Sequence, residues 1–568
     1  MKILYVKIVQ WLLNRRLPVP AIVLYFFDKI AWSSKKLLEL AIIGIDPVVL
    51  ERMGEKKLIW TFQHSVRGTP ALQKFYHNKI DINGIRSIHD FTNKVPITTK
   101  ENYIYEYSLN QRCCGGELPK TGIIFKSAGV AGERTYWTQS VKEEDRFSVF
   151  VPFGLEYLYQ YSKKNYHLLN CWAFGTWPTA IDFTKAARDC GRMINIGPNT
   201  NELIQTIKKL GNENKYLISG YPPFLRNMLF EGKREGIKWK DYSIDVLTGG
   251  EGFVEEWREL LTRELGEKSI IISAYGSTDK GLGEGIETPL TITARNLLRI
   301  FQAKTVSDDE ASKLANTRFN TKISIPSIED VRAFFKELFK QNLDVDFRIP
   351  MIFQSDPLTY FHEEIYIDNS QKTRREVVTT NLKTYSSQPV IRYNIGDESG
   401  IISFHKLIEG FLKLGIDIIK LSHEIPHGSD TTLPYPFFFV YGRTSGAVSI
   451  DGVNIFPEEI GRVIEHLPFG DAINSFRLCV TDNFRLGIDL ECKQSTKLEH
   501  SISIVDEISK EFREFSPGYK TIYDEGLPSS KLQINFFPYG SGPFERSPSV
   551  NPNIVKYQYV GSKILGHH

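Results

Sequence analysis

Three short apolar runs in the first half of the chain, each ending in a glycine-bearing loop, restrict the fold more than any other feature. They are Gly122–Lys126 (GIIFK), Ile244–Thr248 (IDVLT) and Ser269–Ala274 (SIIISA). Runs of this length, rich in β-branched residues and closed by glycine, read as buried strands. Directly after the second, Phe253, Trp257, Leu260, Leu261 and Leu265 recur at helical spacing. Strand, glycine turn and helix in that order are the unit of an α/β fold, whose ligand loops gather at the carboxyl ends of strands. No period of 20 to 50 residues recurs, so repeat architectures are set aside.

The 568 residues suffice for two or three domains. Seventy Lys and Arg against 67 Asp and Glu leave a formal charge of +3, too even for a nucleic-acid binder and better suited to a small ligand. Six cysteines (113, 114, 171, 190, 479 and 492) form no CxxC pair and no framework spacing. This excludes a disulfide scaffold or zinc ribbon and suits a reducing cytoplasm, with Cys113 and Cys114 read as two free thiols in a loop. The apolar run Leu17–Phe27 holds two prolines and is too short to span a bilayer. The first 60 residues carry ten Lys or Arg against five Asp or Glu, interleaved with Trp11, Leu12, Leu13, Phe26, Phe27 and Trp32. That pattern fits peripheral contact with an anionic membrane through the basic N-terminus, or helices packed on the main domain with their lysines in water.

Residues 301–347 are charged and polar between less polar flanks and read as a surface insertion with one helix near Ile328–Phe339. The aromatic strand Phe437–Val440 runs into Tyr441–Gly446 (YGRTSG), where a hinge is expected near Arg443–Ser445. Beyond it Ala447–Ile450 reads as β, and Ile460, Val463, Ile464 and Leu467 share one helical face after Pro457. The expected division is residues 1–442, helical and basic over 1–90, and a small domain over 443–568.

Five clusters carry chemistry. Ser127–Thr135 (SAGVAGERT) follows a strand, and its glycine-freed amides can wrap an anion with help from the Ser127 and Thr135 hydroxyls, although no Walker lysine closes it. Thr248–Gly252 (TGGEG) and Ala274–Asp279 (AYGSTD) follow the next two strands. The latter offers a ring, two hydroxyls and a carboxylate, which suit a nucleotide and a metal ion as well as a buried tyrosine beside a capped turn. The fourth is Gln388–Asp397 (QPVIRYNIGD), whose final carboxylate can accept two ribose hydroxyls. The fifth joins Tyr441–Arg443 to Asp451–Pro457 (DGVNIFP).

In this order, over roughly residues 90–470, the clusters resemble the adenylate-forming superfamily of acyl-CoA synthetases. Within it they are most similar to the phenylacetate–CoA ligase-like branch, with coenzyme F390 synthetase and CapK-type proteins. The resemblance implies an α/β fold: a large multi-sheet N-terminal adenylation domain with a small mobile α+β C-terminal domain. It implies that Ser127, Gly129, Gly132 and Thr135 hold the ATP β- and γ-phosphates. Gly250, Glu251, Tyr275, Gly276 and Ser277 would border the nucleotide, Thr278 would touch the α-phosphate, Asp397 would bind the ribose, and Arg443 would sit at the hinge. Asp279 would be the Mg2+ ligand and Lys556 the catalytic lysine of the small domain, with Lys563 and Lys520 as other candidates.

The chain departs from the family pattern in two places. Ala128, Val130 and Ala131 lack hydroxyls and Glu133 stands where lysine is common, while Asp279 replaces the usual glutamate and is one methylene shorter. The resemblance implies activation of a small-molecule carboxylic acid by ATP to an acyl-adenylate with release of pyrophosphate. Transfer would follow, to CoA thiol or to an amine, hydroxyl or carrier-protein acceptor. A member that binds nucleotide or acyl ligand without turnover is the alternative that the altered loop supports. The sequence leaves the acid and the oligomeric state open, and the aromatic residues expected near its pocket are Trp172, Phe174, Trp177 and Tyr221.

Overall fold

The computed structural model describes every residue except 18, 128–134, 344, 345, 347, 368–374, 384, 444–447, 451, 452, 456, 482–484, 494–501, 525–529 and 546–568. Eleven strands make one large sheet. From one edge, Arg192–Asn195, His167–Asn170, Lys215–Gly220, Ser243–Gly249 and Ile271–Ser277 run parallel. Gly281–Ile286, Met351–Gln354, Phe437–Arg443, Tyr393–Ile402, Arg375–Asn381 and Tyr360–Tyr366 continue the sheet antiparallel.

The second and third apolar runs lie inside this sheet as expected, in Ser243–Gly249 and Ile271–Ser277. Ile244 and Val246 are buried on it, and so is Asp245, which accepts a hydrogen bond from Ile270 N at 2.8 Å and meets Lys215 Nζ at 3.3 Å. A charge inside a central strand survives because both its oxygens are answered. The helix Glu255–Leu265 then lays Trp257, Leu260, Leu261 and Leu265 onto the same face of the sheet.

The first run behaves differently. Gly122–Lys126 pairs antiparallel with Tyr136–Ser140 as a separate two-stranded ribbon, and only Phe125 of its five residues is buried. Apolar composition alone does not distinguish an exposed hairpin arm from a central strand. The segment 301–347 also departs from the expected surface insertion. It carries a second helix, Asp308–Arg318, besides Ile328–Phe334, and it buries Phe301, Val331, Phe335 and Phe339 in a core shared with Phe411, Phe437 and Phe439. Its charges lie on the outer faces of helices whose inner faces are apolar.

The N-terminal helices Lys2–Asn14, Ala21–Ala31 and Lys35–Ile42 pack on the large sheet's helical layer. Val6, Val9, Leu13, Phe27 and Leu38 are buried there with Phe153 and Leu155 of the helix Val141–Tyr159. Past Arg443 a separate apolar core forms from residues between Ile455 and Ile534 around the three-stranded sheet Ile473–Val480, Leu486–Cys492 and Gln533–Phe537. All six cysteines are free. No described helix is long and apolar enough to cross a membrane.

Candidate active site

A cleft open to solvent lies between the ribbon, the helix Val141–Tyr159 and the turn after strand Ile271–Ser277. Ser277, Thr278 and Asp279 all line it. They are aimed there by a hairpin: Ser277 pairs with Gly281, a bulge at Gly276 breaks the register, and Ser277 Oγ accepts the Lys280 N–H at 3.2 Å. Ser277 therefore caps a β-turn.

The fourth cluster meets the third across the sheet, from a strand four positions away. Tyr275 O–H donates to Asp397 Oδ2 at 2.5 Å. Its ring gets there by crossing the sheet face over Phe353 and Phe438, at centroid distances of 5.6 and 4.9 Å, from two of the three strands that lie between Tyr275's and Asp397's own. Gly396 has φ +82° with open space around it, and this left-handed step turns Asp397 at the strand bulge. The structure thus joins Tyr275, expected to border the adenine, and Asp397, expected to bind the ribose. Both remain half-buried.

Gly249 and Ala274 pair across adjacent strands, so Gly250–Glu251 leave the sheet beside the last residues of strand Ile271–Ser277. Gly250 adopts φ +84°, and a Cβ there would come within 2.7 Å of the Tyr221 ring. Arg443 pairs with Asp397 across its strand, and its side chain lies outside the described residues. Gly129, Gly132 and Lys556 also lie outside them. The ends of the first cluster are fixed. Ser127 and Thr135 hold each other through their hydroxyls at 2.7 Å and through Ser127 N to Thr135 O at 2.8 Å, and Trp137 Nε1 donates to Thr135 Oγ1 at 3.1 Å. Expected as phosphate donors, these two buried hydroxyls are instead bonded to each other and close the base of the loop.

Asp279 likewise differs from the expected metal ligand. Its carboxylate accepts a hydrogen bond from Tyr393 O–H at 2.8 Å and lies 3.2 Å from Lys100 Nζ, and only 3% of it is exposed. Burial, then the Asp279 charge, pushes the Tyr393 phenol far up, so it stays a donor. Magnesium at a nucleotide is usually held by one or two carboxylates together with waters and substrate phosphates, and here the candidate carboxylate is already engaged by lysine and tyrosine. Among the described residues the one grouping of three metal-binding side chains is His423, His427 and Asp430, none of which lines the cleft. As it stands among the described residues, Asp279 is held by Lys100 and Tyr393 and does not fit a ligand of a resident magnesium ion.

The strand beneath the turn rests on a buried charge network. Glu287 accepts from Ser273 N at 2.8 Å and from Arg258 Nη2 at 2.7 Å. Burial alone would raise Glu255, yet Arg258 and Arg295 outweigh it and hold that carboxyl at about 2. Next to Asp279, Lys280 pairs with Glu284 at 2.8 Å, both fully buried. Burial lowers His362, which lies against the same pair, to about 4, so it is neutral at physiological pH.

None of Trp172, Phe174, Trp177 and Tyr221 lines the cleft. Trp172 is packed in the core and Phe174 is 37% exposed. The aromatic wall is built instead from Trp32, Phe147, Phe150 and Tyr385. Arg146 lies between two of these rings, 5.0 Å from Trp32 and 4.3 Å from Tyr385, with Asp28 Oδ2 at 2.9 Å. Lys100, Arg146 and Trp32 escaped sequence reasoning because each is brought in from far along the chain. Lys100 arrives through the bridge between Thr98 and Tyr393, for which no local pattern exists.

No family model matches the chain, and no curated protein matches it in sequence. Solved structures do match. A 2-hydroxyisobutyryl-CoA ligase in the postadenylation state, with 2-HIB-AMP bound, superposes with a TM-score of 0.58 at 11% identity, over 90% of this chain and 89% of that one. The chain has the fold of the adenylate-forming enzymes. The acyl acid amido synthetase GH3.15 is also similar, with a TM-score of 0.52 at 12% identity, over 90% of this chain and 92% of that one. At these identities the likeness speaks for the fold alone.

Proposed function

We propose that the chain activates a carboxylic acid with ATP, forming an acyl-adenylate and pyrophosphate, and then passes the acyl group to a nucleophile with release of AMP. The observation that carries this reading is the Tyr275–Asp397 contact, which joins the third cluster to the fourth, while Ser277–Asp279 of the third and Gln388 and Val390 of the fourth line the aromatic cleft. In this reading Asp397 accepts the ribose hydroxyls, and Gly250, Glu251 and Tyr275 border the adenine. Thr278 donates to the α-phosphate, and Ser127–Thr135 holds the β- and γ-phosphates. The acid occupies the cleft between Phe150 and Tyr385, where its carboxylate oxygen attacks the α-phosphorus. Catalysis is positioning and charge neutralisation, the latter supplied by Lys556. CoA thiol is the proposed acceptor, in keeping with the phenylacetate–CoA ligase-like signatures, and its sulfur displaces AMP from the acyl carbon.

We assign residues 443–568 as a lid turning near Arg443–Ser445. Support comes from the polar seam it makes with the body: Arg226 Nη1 to Glu465 Oε1 at 3.3 Å, and Arg462 to Glu256 and Gln302 at 3.3 and 3.1 Å. Polar seams reopen in water at little cost. A second reading, binding without turnover, is favoured by the Ser127–Thr135 and Asp279–Lys100 pairings, which occupy groups the chemistry would use. Calorimetry with ATP on Asp397→Ala tests the nucleotide site. Loss of charge-assisted bonds worth roughly 1.5–3 kcal/mol each should weaken binding at least about tenfold, and unchanged affinity in the folded variant would remove Asp397 from it.

A further inference from the structure

The N-terminal helix Lys2–Asn14 is apolar on both sides. Its inner face buries Val6, Val9 and Leu13 against the body. Three side chains bolt that face down: Tyr5 O–H to Val23 O at 2.9 Å, Gln10 Nε2 to Leu40 O at 2.8 Å and Asn14 Nδ2 to Gly44 O at 2.6 Å. The helix is therefore fixed to the protein, and its outward face is a permanent part of the surface.

That outward face carries Leu4, Ile8 and Trp11, spaced as one helical stripe, 62%, 49% and 55% exposed. Ile3, Leu17 and Phe26 are exposed large apolar residues close by in the chain. Solubility calls for the opposite composition on a helix whose other side already feeds the core. Along the chain, over the first 27 residues, the charges that accompany the stripe all have one sign. Lys7 and Arg15 flank it, with Arg15 lying 5.5 Å over the Trp11 ring, and no acidic residue occurs before Asp28. A protein partner is met with mixed charge as a rule, whereas leucine, isoleucine and tryptophan bordered by lysine and arginine suit the interface of an anionic bilayer.

We propose that this face of Lys2–Asn14 seats the protein on an anionic lipid surface, lying in the headgroup layer without crossing it. No described helix is long or apolar enough to span a bilayer, which agrees with a peripheral mode. The layer that carries the stripe also supplies Trp32 and Asp28 to the cleft region, so docking and acid binding share one structural unit. This inference stands apart from the adenylation reading and survives its failure.

The test is co-sedimentation of the full chain with phosphatidylcholine vesicles and with vesicles containing phosphatidylserine, at low and high salt. Expected is binding to the anionic vesicles at least about tenfold stronger than to the neutral ones and weakened by salt, with a blue shift of tryptophan emission that Trp11→Phe removes. Leu4→Glu/Ile8→Glu/Trp11→Glu should abolish binding while keeping the wild-type melting temperature, since all three side chains are exposed. Lys7→Glu/Arg15→Glu should erase the preference for anionic lipid. Absence of binding by the folded wild type, or binding unchanged in the triple variant, overturns the proposal. So does a dimer in sedimentation velocity that the triple variant dissolves, which would make the face a contact between copies.

Discussion

Asp182 offers a quantitative handle on the cleft. It lies in the helix Pro178–Ala187, lines the cleft and is 4% exposed. Burial, reinforced by the neighbouring Glu144 charge, pushes its carboxyl up to about 7 from 3.8. The folded state therefore binds more protons than the unfolded state between pH 4 and 7, so stability falls as pH rises through this window and stays low above it. At 1.36 kcal/mol per pH unit the cost at pH 8.5 is on the order of 4 kcal/mol. Asp182→Asn keeps the volume and the bond to Gln139 while removing the charge. Thermal melts should show the variant more stable by several degrees at pH 8.5 and equal to wild type at pH 4.5. Affinity for a carboxylate ligand of the cleft should decline in wild type as pH rises through 7 and stay flat in the variant. A shift of equal size at both pH values would mean that Asp182 ionises normally, and the electrostatic description of the cleft floor would fail.

Two further perturbations probe the site and the lid. Tyr275→Phe removes the hydroxyl that steadies Asp397, and ATP affinity by calorimetry should fall about three- to tenfold, less than for Asp397→Ala, with additive losses in the double variant counting against coupling. Lys493, in the small domain, is held at about 7 by burial, then by the Arg226 charge, with its Nζ 3.7 Å over Phe230 and unbonded among the described residues. A depressed lysine favours the contact increasingly as pH rises from 7 towards 10.5. Proteolysis between the lid and the body should therefore slow over that range in wild type, whereas Lys493→Met should show no such trend.

The sequence made legible what depends on neighbours in the chain. Ile244–Thr248 and the helix carrying Trp257, Leu260, Leu261 and Leu265 are read correctly, Phe253 alone falling before its start at Glu255, because a strand or helix facing one core repeats its apolar residues at one period. Gly250 and Gly396 are legible as special because their backbone angles admit little else. Illegible were facts set by pairing. Gly122–Lys126 has the composition of a central strand and a partner only in Tyr136–Ser140. Asp279 looked like a metal ligand until Tyr393 and Lys100, each over 100 residues away, appeared beside it. Trp32 reached the cleft from a segment whose apolar residues alone suggested lipid or core, and the inner faces of those helices do pack on the body.

Acid-dependent ATP–pyrophosphate exchange bears most directly on the central claim. Over a panel of aryl and aliphatic acids, wild type should exchange with at least one acid and not without acid. Lys556→Ala should lose exchange by roughly a hundred- to a thousandfold, the scale for one preorganised transition-state donor, while still converting a supplied acyl-adenylate. Measurable ATP binding with no exchange for any acid in the panel would contradict activation and leave a nucleotide-binding protein of the same fold.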